Sequence, residues 1–333
     1  MQTTPVLSVI LPYCREGEWL QEALLSIQQQ TFSDFELLLT GNNPDPVTRE
    51  IAASAAAADS RIRLFYSSAS HLGEVLNETL VHATGAFIAR MDADDVAFPH
   101  RFERQMEQLH NNSTIDVSSV QTAPHPDGIP GAGLQAFMDW QNQLVRPEEH
   151  YHHRFIEAVV AHPSVLFRAS LLKEQGFYPE EGPEDFGLWL RWLSAGVRFE
   201  KIPEPLLYWR DHPKRLSRIG QDYSSDAFTR IKAKYAIPYL HQKLNGRKLI
   251  LCGAGKEVQK KIKFWQESGL HLDGYSDLTP RNLPLPYWEP ATITPNQGAY
   301  FLSLLNGRGK AAEMRQFFES RGLIAESDFL ISS

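Results

Sequence analysis

An α/β fold built as two units is what this chain of 333 residues predicts, and three observations carry the prediction. Short apolar runs alternate with helix-patterned stretches from residue 6 to residue 92. The same alternation restarts after residue 246, and the length suits two domains that each bury a core. Strands and helices that alternate at this pace specify βαβ units around a mostly parallel sheet.

The elements follow in order. "VLSVIL" at 6–11, bounded by prolines, reads as a buried strand, and "WLQEALLSIQQQ" carries apolar residues at helical spacing. "FELLLT" is a second strand, "PDPVTREIAASAAAA" a turn followed by an Ala-rich helix, and "IRLFYSS" a third strand. "LGEVLNETLVHAT" is a helix closed by Gly85, and "AFIARMD" is the fourth strand. The middle holds a Pro-, Gly- and His-rich stretch, "QTAPHPDGIPGAG", then the helix-like "LQAFMDWQNQLV". An antiparallel strand is expected within "VVAHPSVLFRASLLKEQGF", on the acceptor side of a cleft. "EDFGLWLRW" reads as a buried helix, "VRFEKIPEPLLYW" as a strand, and "RDHPKRLSR" as a mobile basic tail. "SSDAFTRIKAKYAIPYLHQKL" reads as a connecting helix interrupted near Pro238. From "KLILCGAGKEVQ" onward come a strand, a Gly-rich turn, a helix, a strand ending at Asp277, the strand "GAYFLSLL" and an amphipathic helix closed by Gly322. The expected domains are 1–222 and 247–333, joined by a connecting helix or linker at 223–246.

Composition excludes several classes. Hydrophobic residues at 42% and charged residues at 22% are ordinary globular values. A net charge of -7 supplies no basic face for phosphate backbones, so nucleic acid is not an expected partner. The two cysteines, Cys14 and Cys252, fall in different units and suggest neither a disulfide framework nor a zinc cluster. The opening "MQTTPVLSVILPYCREGEWL" has no basic n-region, and no run approaches the roughly 18 apolar residues of a membrane span. A cytoplasmic protein is expected, with peripheral association at the inner face of the membrane left open.

Three carboxylates, Asp92, Asp94 and Asp95, crowd the end of the fourth strand. In open α/β sheets ligands bind outside the carboxyl ends of strands. A D-x-D pair there can hold a hard divalent cation, Mn2+ or Mg2+, through oxygen ligands and bridge it to a phosphate. The alternative is that Asp95 caps the helix "FPHRFERQMEQL" while its neighbours are solvated.

The segments "LSVILPYCREGEWLQEALLSIQQQTFSDFELLL", "LGEVLNETLVHATGAFIARMDADDVAFPHRFERQMEQL" and "HPSVLFRASLLKEQGFYPEEGPEDFGLWLRWLSAGVRFEKIPEPLLYWRDHPKRLSR" resemble family 2 of the inverting glycosyltransferases. The likeness covers about two-thirds of the chain, in order and with the family's spacing. It implies the GT-A nucleotide-sugar-binding fold and a "DADD" loop that holds a nucleotide-sugar diphosphate through a divalent cation. Asp94 is then the first metal ligand, Asp92 lies near the ribose or the metal, and Asp95 supports them. The resemblance sets Pro12, Tyr13 and Cys14 against the nucleoside with Glu16 close by; Tyr13 either stacks on the base or is a core aromatic. Asn77 and Arg90 match positions that line the same pocket, and Arg101 would fix the acidic loop from behind. One departure stands out: the family usually has an Asp-Asp-Gly-Ser run after the second strand, where this chain has Thr40-Gly41-Asn42-Asn43-Pro44. Asn42 can still donate and accept hydrogen bonds, but the carboxylate is missing.

"PEDFGLWLRW" resembles the family motif that supplies the general base, which implies Asp185 as the base and Glu184 as its orienting or acceptor-contacting neighbour. An acidic pair at a helix start also complements the helix dipole. His162 and Trp189 match acceptor and sugar contacts, with Trp189 more at home in the core. Arg210, His212, Arg215 and Arg218 form a basic tail able to close over the diphosphate, His212 standing where the family carries a His or Arg. Near the C-terminus Gly253 and Gly255 with Asp277 sketch a dinucleotide fingerprint, but Val258 occupies the third glycine position. The unit resembles small Rossmann-like appendages of polysaccharide transferases, and a structural or docking role is expected.

Together these readings predict transfer of a sugar from a nucleotide-diphosphate sugar donor to a glycan or lipid-linked glycan acceptor, in bacterial cell-envelope or exopolysaccharide synthesis. The alternatives are a catalytically degenerate nucleotide-sugar-binding scaffold, suggested by Gly41 and Asn42, and an NAD-dependent oxidoreductase working through Gly253, Gly255 and Asp277.

Overall fold

The chain divides into two compact units: the described residues up to His150 with Ala158–Tyr223, and Tyr151–Glu157 with Ser224–Ser333. The computed structural model describes residues 4–128 and 130–333; residues 1–3, where the first domain is expected to begin, and Ile129 of the Pro- and Gly-rich stretch lie outside the described residues.

In the larger unit β1 (Leu7–Tyr13) is buried along its whole length, as an unbroken apolar run requires. It pairs in parallel with β2 (Phe35–Asn42) on one side and β4 (Phe87–Arg90) on the other, while β3 (Ile62–Ser67) pairs in parallel with β2. The crossovers are α1 (Glu18–Gln28), α2 (Pro46–Ala58) and α3 (Leu72–Leu80). Asp45 caps α2 by accepting from the Val47 and Thr48 amides at 3.0 Å each, with Pro46 in the first turn. His71 caps α3 through Nδ1, which accepts from the Gly73 amide at 3.0 Å.

Beyond β4 the chain forms β5 (Val96–Ala97), α4 (Arg101–Asn111), β6 (Val117–Pro124), α5 (Ala132–Gln143), α6 (Pro147–His153), β7 (Leu166–Arg168), α7 (Ser170–Gln175), α8 (Glu184–Ser194), β8 (Phe199–Trp209) and α9 (Leu216–Ile219). The sheet order is β3-β2-β1-β4-β7-β6-β8-β5. β7 is the expected antiparallel strand, running against both β4 and β6. Alternate β1 residues feed two cores: Val9 and Leu11 join Leu20, Leu24 and Phe102, and Ile10 joins Leu76, Trp189 and Trp192. Trp189 is a core residue, 1% exposed.

The smaller unit holds a parallel sheet in the order β10-β9-β11-β12, from β9 (Lys248–Cys252), β10 (Gly274–Ser276), β11 (Ala299–Ser303) and β12 (Phe329–Ile331). Its helices are α10 (Ser225–Leu244), α11 (Lys256–Glu267) and α12 (Arg308–Glu319). The stretch 223–246, expected as a connecting helix or linker interrupted near Pro238, is largely α10, which runs through Pro238 without a break. Ile231, Ala233, Ala236, Ile237 and Leu240 are buried on both sides of the proline, and this packing offsets the lost backbone bond. The segment Tyr151–Glu157 joins this unit because Arg154 grips Glu326 with two bonds, at 2.9 and 3.0 Å, over the Tyr151 ring. Among the described residues no helix is long and apolar enough to cross a membrane.

Candidate active site

The chain leaves the sheet just after Arg90 and turns its acids out at the carboxyl end of β4. Arg101, fully buried in α4, donates to the Arg90 carbonyl at 2.9 Å and to the Val165 carbonyl at 3.4 Å, which fixes the strand end. Burial pushes its guanidinium down to about 9. Arg90 is 1% exposed and pairs with Asp92 Oδ1 at 2.6 Å. Burial opposes the Arg90 charge, but Asp92, with Tyr178 and Glu184 adding to it, outweighs burial and the net shift is upward.

Asp95 is 1% exposed and accepts from the Arg210 amide at 2.9 Å; its Oδ2 is buried without a partner. Burial, then Asp94 and Asp92, push its carboxyl well above the usual range. It does not cap α4, which starts after His100 with no side-chain cap, so the capping reading is overturned: Asp95 turns into the core toward the end of β8. Asp94 Oδ2 meets His212 Nε2 at 2.7 Å, and the His212 ring packs on Trp19 with centroids 4.5 Å apart. Glu16 accepts from the Cys14 amide at 2.6 Å. Burial lifts the Glu16 carboxyl to about 7, with Asp94 and Asp92 adding to the rise.

Arg210 is not part of a mobile tail. It is 4% exposed and donates to the Asp94 carbonyl at 2.8 Å, to Asp127 at 3.3 Å and to Glu22, with His125 Nε2 at 2.9 Å. Among the described residues, Glu22, His125 and Asp127 form one group with metal-ligand spacing and Asp92, Asp94 and Asp95 the other. The Arg210 guanidinium already sits on the first group as its cation. The second offers only oxygen, with Asp92 Oδ1 on Arg90 and Asp94 Oδ2 on His212, so each carboxylate keeps an oxygen outside those contacts. Arg215 lies over Trp209 at 4.5 Å, and Arg218 pairs with Asp211 at 2.6 Å.

The second acidic group opens α8. Asp185 is half-buried and accepts from the Phe186 amide at 2.6 Å, so it does complement the helix start. Burial, and then the neighbouring Glu184, raise its carboxyl to about 6. Glu184 is 2% exposed; its Oε2 accepts from the Tyr223 hydroxyl and its Oε1 lies 3.5 Å from His162 Nδ1. His162 Nε2 meets the Tyr178 hydroxyl at 2.8 Å, and burial, together with the charge of Arg90, pushes the imidazole down to about 3, so it is neutral. Asn77 commits its amide to the Tyr178 backbone with two bonds of 3.0 Å. Arg90 lies close enough to Glu184 and Tyr178 for its charge to be felt there, which links the two acidic groups electrostatically.

Residues 8–175 match the family model described as Glycosyl transferase family 2, half of the chain. The chain belongs to that family. It is 28% identical over 230 residues to the O-antigen biosynthesis glycosyltransferase WbnJ of Escherichia coli, covering 66% of this chain and 84% of that one. It is 28% identical over 233 residues to the putative glycosyltransferase EpsE of Bacillus subtilis, covering 68% and 80%. Among solved structures, S. aureus TarS 1–349 in complex with UDP-GlcNAc superposes with a TM-score of 0.55 at 18% identity over 70% of this chain and 66% of that one. The mannosyltransferase PcManGT from Pyrobaculum calidifontis, in complex with GDP-Man and Mn2+, gives 0.51 at 18% identity over 79% and 69%. At such identities the likeness is one of fold, and it makes the larger unit a GT-A fold. Against the longer TarS structure this chain spans 39% of the length.

In this glycosyltransferase the departure at Gly41 has a steric reason. Tyr13 pairs with Gly41 across β1 and β2, and a Cβ at Gly41 would lie 2.7 Å from the Tyr13 Cζ and hydroxyl. Tyr13 is 2% exposed, a core aromatic whose hydroxyl has no partner; burial raises its pKa. Pro12 is buried beside it, and burial raises the Cys14 thiol. Asn42 ends β2, its Oδ1 accepting from Asn43 Nδ2 at 3.2 Å. Sequence reasoning passed over Tyr223, Tyr178, Trp19 and His125, which touch these groups from distant positions. In the smaller unit Asp277 accepts from the Ala254 amide at 3.0 Å, the Leu278 amide at 2.7 Å and Arg281 Nε at 3.0 Å. Burial works against its ionisation, but Arg281 and the two amides outweigh it and hold the carboxyl low.

Proposed function

We propose that the chain is an inverting glycosyltransferase that moves one sugar from a nucleoside diphosphate sugar to a hydroxyl of a glycan or lipid-linked glycan, with Asp92 and Asp94 holding Mn2+ or Mg2+. One observation carries the reading: Asp185, a half-buried carboxyl raised to about 6, lies near enough to the oxygen-only loop for Asp92 to contribute to that rise. A base poised just below neutral pH is ionised in the cell yet still takes up a proton readily.

In the transfer, Asp185 accepts the proton of the acceptor hydroxyl as that oxygen bonds to the anomeric carbon. The bond from that carbon to the phosphate oxygen breaks, its electron pair leaves with the diphosphate, and attack from the opposite face inverts the centre. Glu184 and the neutral His162 frame the base. The oxygen donors of Asp92 and Asp94 fit a hard divalent cation, and the unpartnered buried Asp95 Oδ2 and His212 Nδ1 leave polar capacity beside them. When bound, such a cation neutralises diphosphate charge. Arg210 braces the loop rather than the donor.

The relatives lend support: one is named for O-antigen biosynthesis, and the structural neighbours carry UDP-GlcNAc or GDP-Man, one with Mn2+. This favours a role in envelope or exopolysaccharide assembly in the cytoplasm, at the inner face of the membrane for a lipid-linked acceptor. A panel of nucleoside diphosphate sugars, each with Mn2+, Mg2+ or chelator, tests the reading through nucleoside diphosphate release and the anomeric configuration of the product. Retained configuration, or no donor bound or consumed under any condition, would refute it.

A further inference from the structure

Tyr223 belongs to no motif, yet its hydroxyl donates to Glu184, the buried acid beside Asp185 at the start of α8. It closes the 3-10 turn Gln221–Tyr223, one residue before Ser224 caps α10. The turn is tight: a Cβ at Gly220 would lie 3.0 Å from the Tyr223 ring and 2.9 Å from the Leu216 carbonyl. The ring is therefore placed by backbone packing, and its hydroxyl reaches Glu184 from a fixed origin.

The groups facing Glu184 come from five elements. His162 Nδ1 approaches at 3.5 Å from the 3-10 helix His162–Ser164, and the Tyr178 hydroxyl stands behind it on Nε2 at 2.8 Å. Arg90 contributes its charge from β4, but its direct partner is Asp92 at 2.6 Å. His71, from the N-cap of α3, contributes from further away, with Asp222 3.8 Å from its Nε2. Asp185 is the next residue of α8, and Asp92 adds its charge to that of Glu184 at Asp185. His162 is neutral, so the phenol is the strongest donor in direct contact with the Glu184 carboxylate. Burial favours the protonated acid, and the Tyr223 bond is the largest influence opposing it. An ionised Glu184 resists a second negative charge at Asp185 and so makes Asp185 hold a proton more tightly.

We propose that Tyr223 is a positioning residue for the transfer: its phenol holds Glu184 as a fixed carboxylate, and through Glu184 it sets the basicity of Asp185. This rests on the reading of Asp185 as the base. It also gives the acidic neighbour of the base a task other than touching the acceptor.

Tyr223→Phe keeps the ring and removes only the donor. Its first measurement needs no substrate: the melting temperature against pH, with the parent chain alongside. The phenol bonds the ionised Glu184 more strongly than the neutral acid, so the deficit of Tyr223→Phe is largest above the Glu184 pKa and shrinks as pH falls through it. A deficit of about 3 °C at pH 8 that becomes smaller as the pH is lowered is expected for the loss of a hydrogen bond to a charged group. A deficit equal at all pH values, which packing alone would give, overturns the proposal. The second measurement is the pH profile of kcat. With Glu184 protonated, Asp185 titrates lower, so the acid limb moves down by about half a pH unit or more while the plateau falls about threefold or more. Glu184→Gln moves the limb the same way, and the double variant moves it no further. An unmoved limb in Tyr223→Phe overturns the link to Asp185. If the melting deficit tracks pH while the parent consumes no donor, the transfer reading fails and the hold of Tyr223 on Glu184 stands.

Discussion

Asp94 and Asp277 are both carboxylates just beyond the end of a strand in an α/β unit, and their surroundings differ in kind. Asp277 has its oxygens on two backbone amides and Arg281 and closes its own glycine turn. Asp94 is met by a histidine side chain, and two further acids stand within ligand spacing of it. A saturated carboxylate is part of the frame, whereas acids crowded together with an oxygen to spare keep an unmet electrostatic demand. Under the proposed function, similar strand-end patterns would serve chemistry in one unit and architecture in the other.

The comparison breaks most readily at the base. Asp185→Asn is expected to lower kcat by about 10²–10⁴-fold with nucleoside diphosphate affinity unchanged, because the proton moves only as the new bond forms. Near-parental turnover would move the base to Glu184 or elsewhere. Asp94→Ala should weaken nucleoside diphosphate binding by about tenfold or more and remove the difference between Mn2+ and chelator, since hard cations need the oxygens it supplies; calorimetry in both conditions decides. For the parent enzyme, the proposed base Asp185 would work ionised, and its carboxyl is raised to about 6, so kcat should climb as pH passes through about 6. At pH 5 it should stand about tenfold below its plateau. A profile flat from pH 5 to 8 would exclude Asp185 as the titrating base. The smallest effect belongs to the smaller unit: Asp277→Asn should leave transfer within about twofold while costing about 1 kcal/mol of stability, the size of a weakened hydrogen-bond set. Loss of transfer in that variant would erase the contrast and give the glycine turn a chemical role.

The first four strands were legible because each is a short, mostly apolar run bounded by turn or helix signals, and β1 is buried along its whole length. β6 was not, since "VSSVQTAP" buries Ser118, Ser119 and Thr122 where a pattern reader looks for Val or Ile. Gln105 meets the Ser118 carbonyl and Asn142 meets the Thr122 carbonyl, contacts that no local pattern announces. Pro238 misled in the other direction, because its cost is met by neighbours whose burial is a tertiary fact. The acidic motifs were readable from spacing and likeness. Arg210 was misread as a tail residue because one of its partners, Glu22, lies 188 positions away, and nothing beside Tyr223 in the chain points to Glu184.

The close fit of Tyr13 against Gly41 ties together what the two positions can hold. A Cβ at 41 would come within 2.7 Å of the far end of the Tyr13 side chain, so any larger residue there requires the phenol to move aside. A smaller residue at 13 would make that room and leave a void where the phenol had been. The two positions are therefore coupled, and the stability changes of substitutions at 13 and 41 should not simply add.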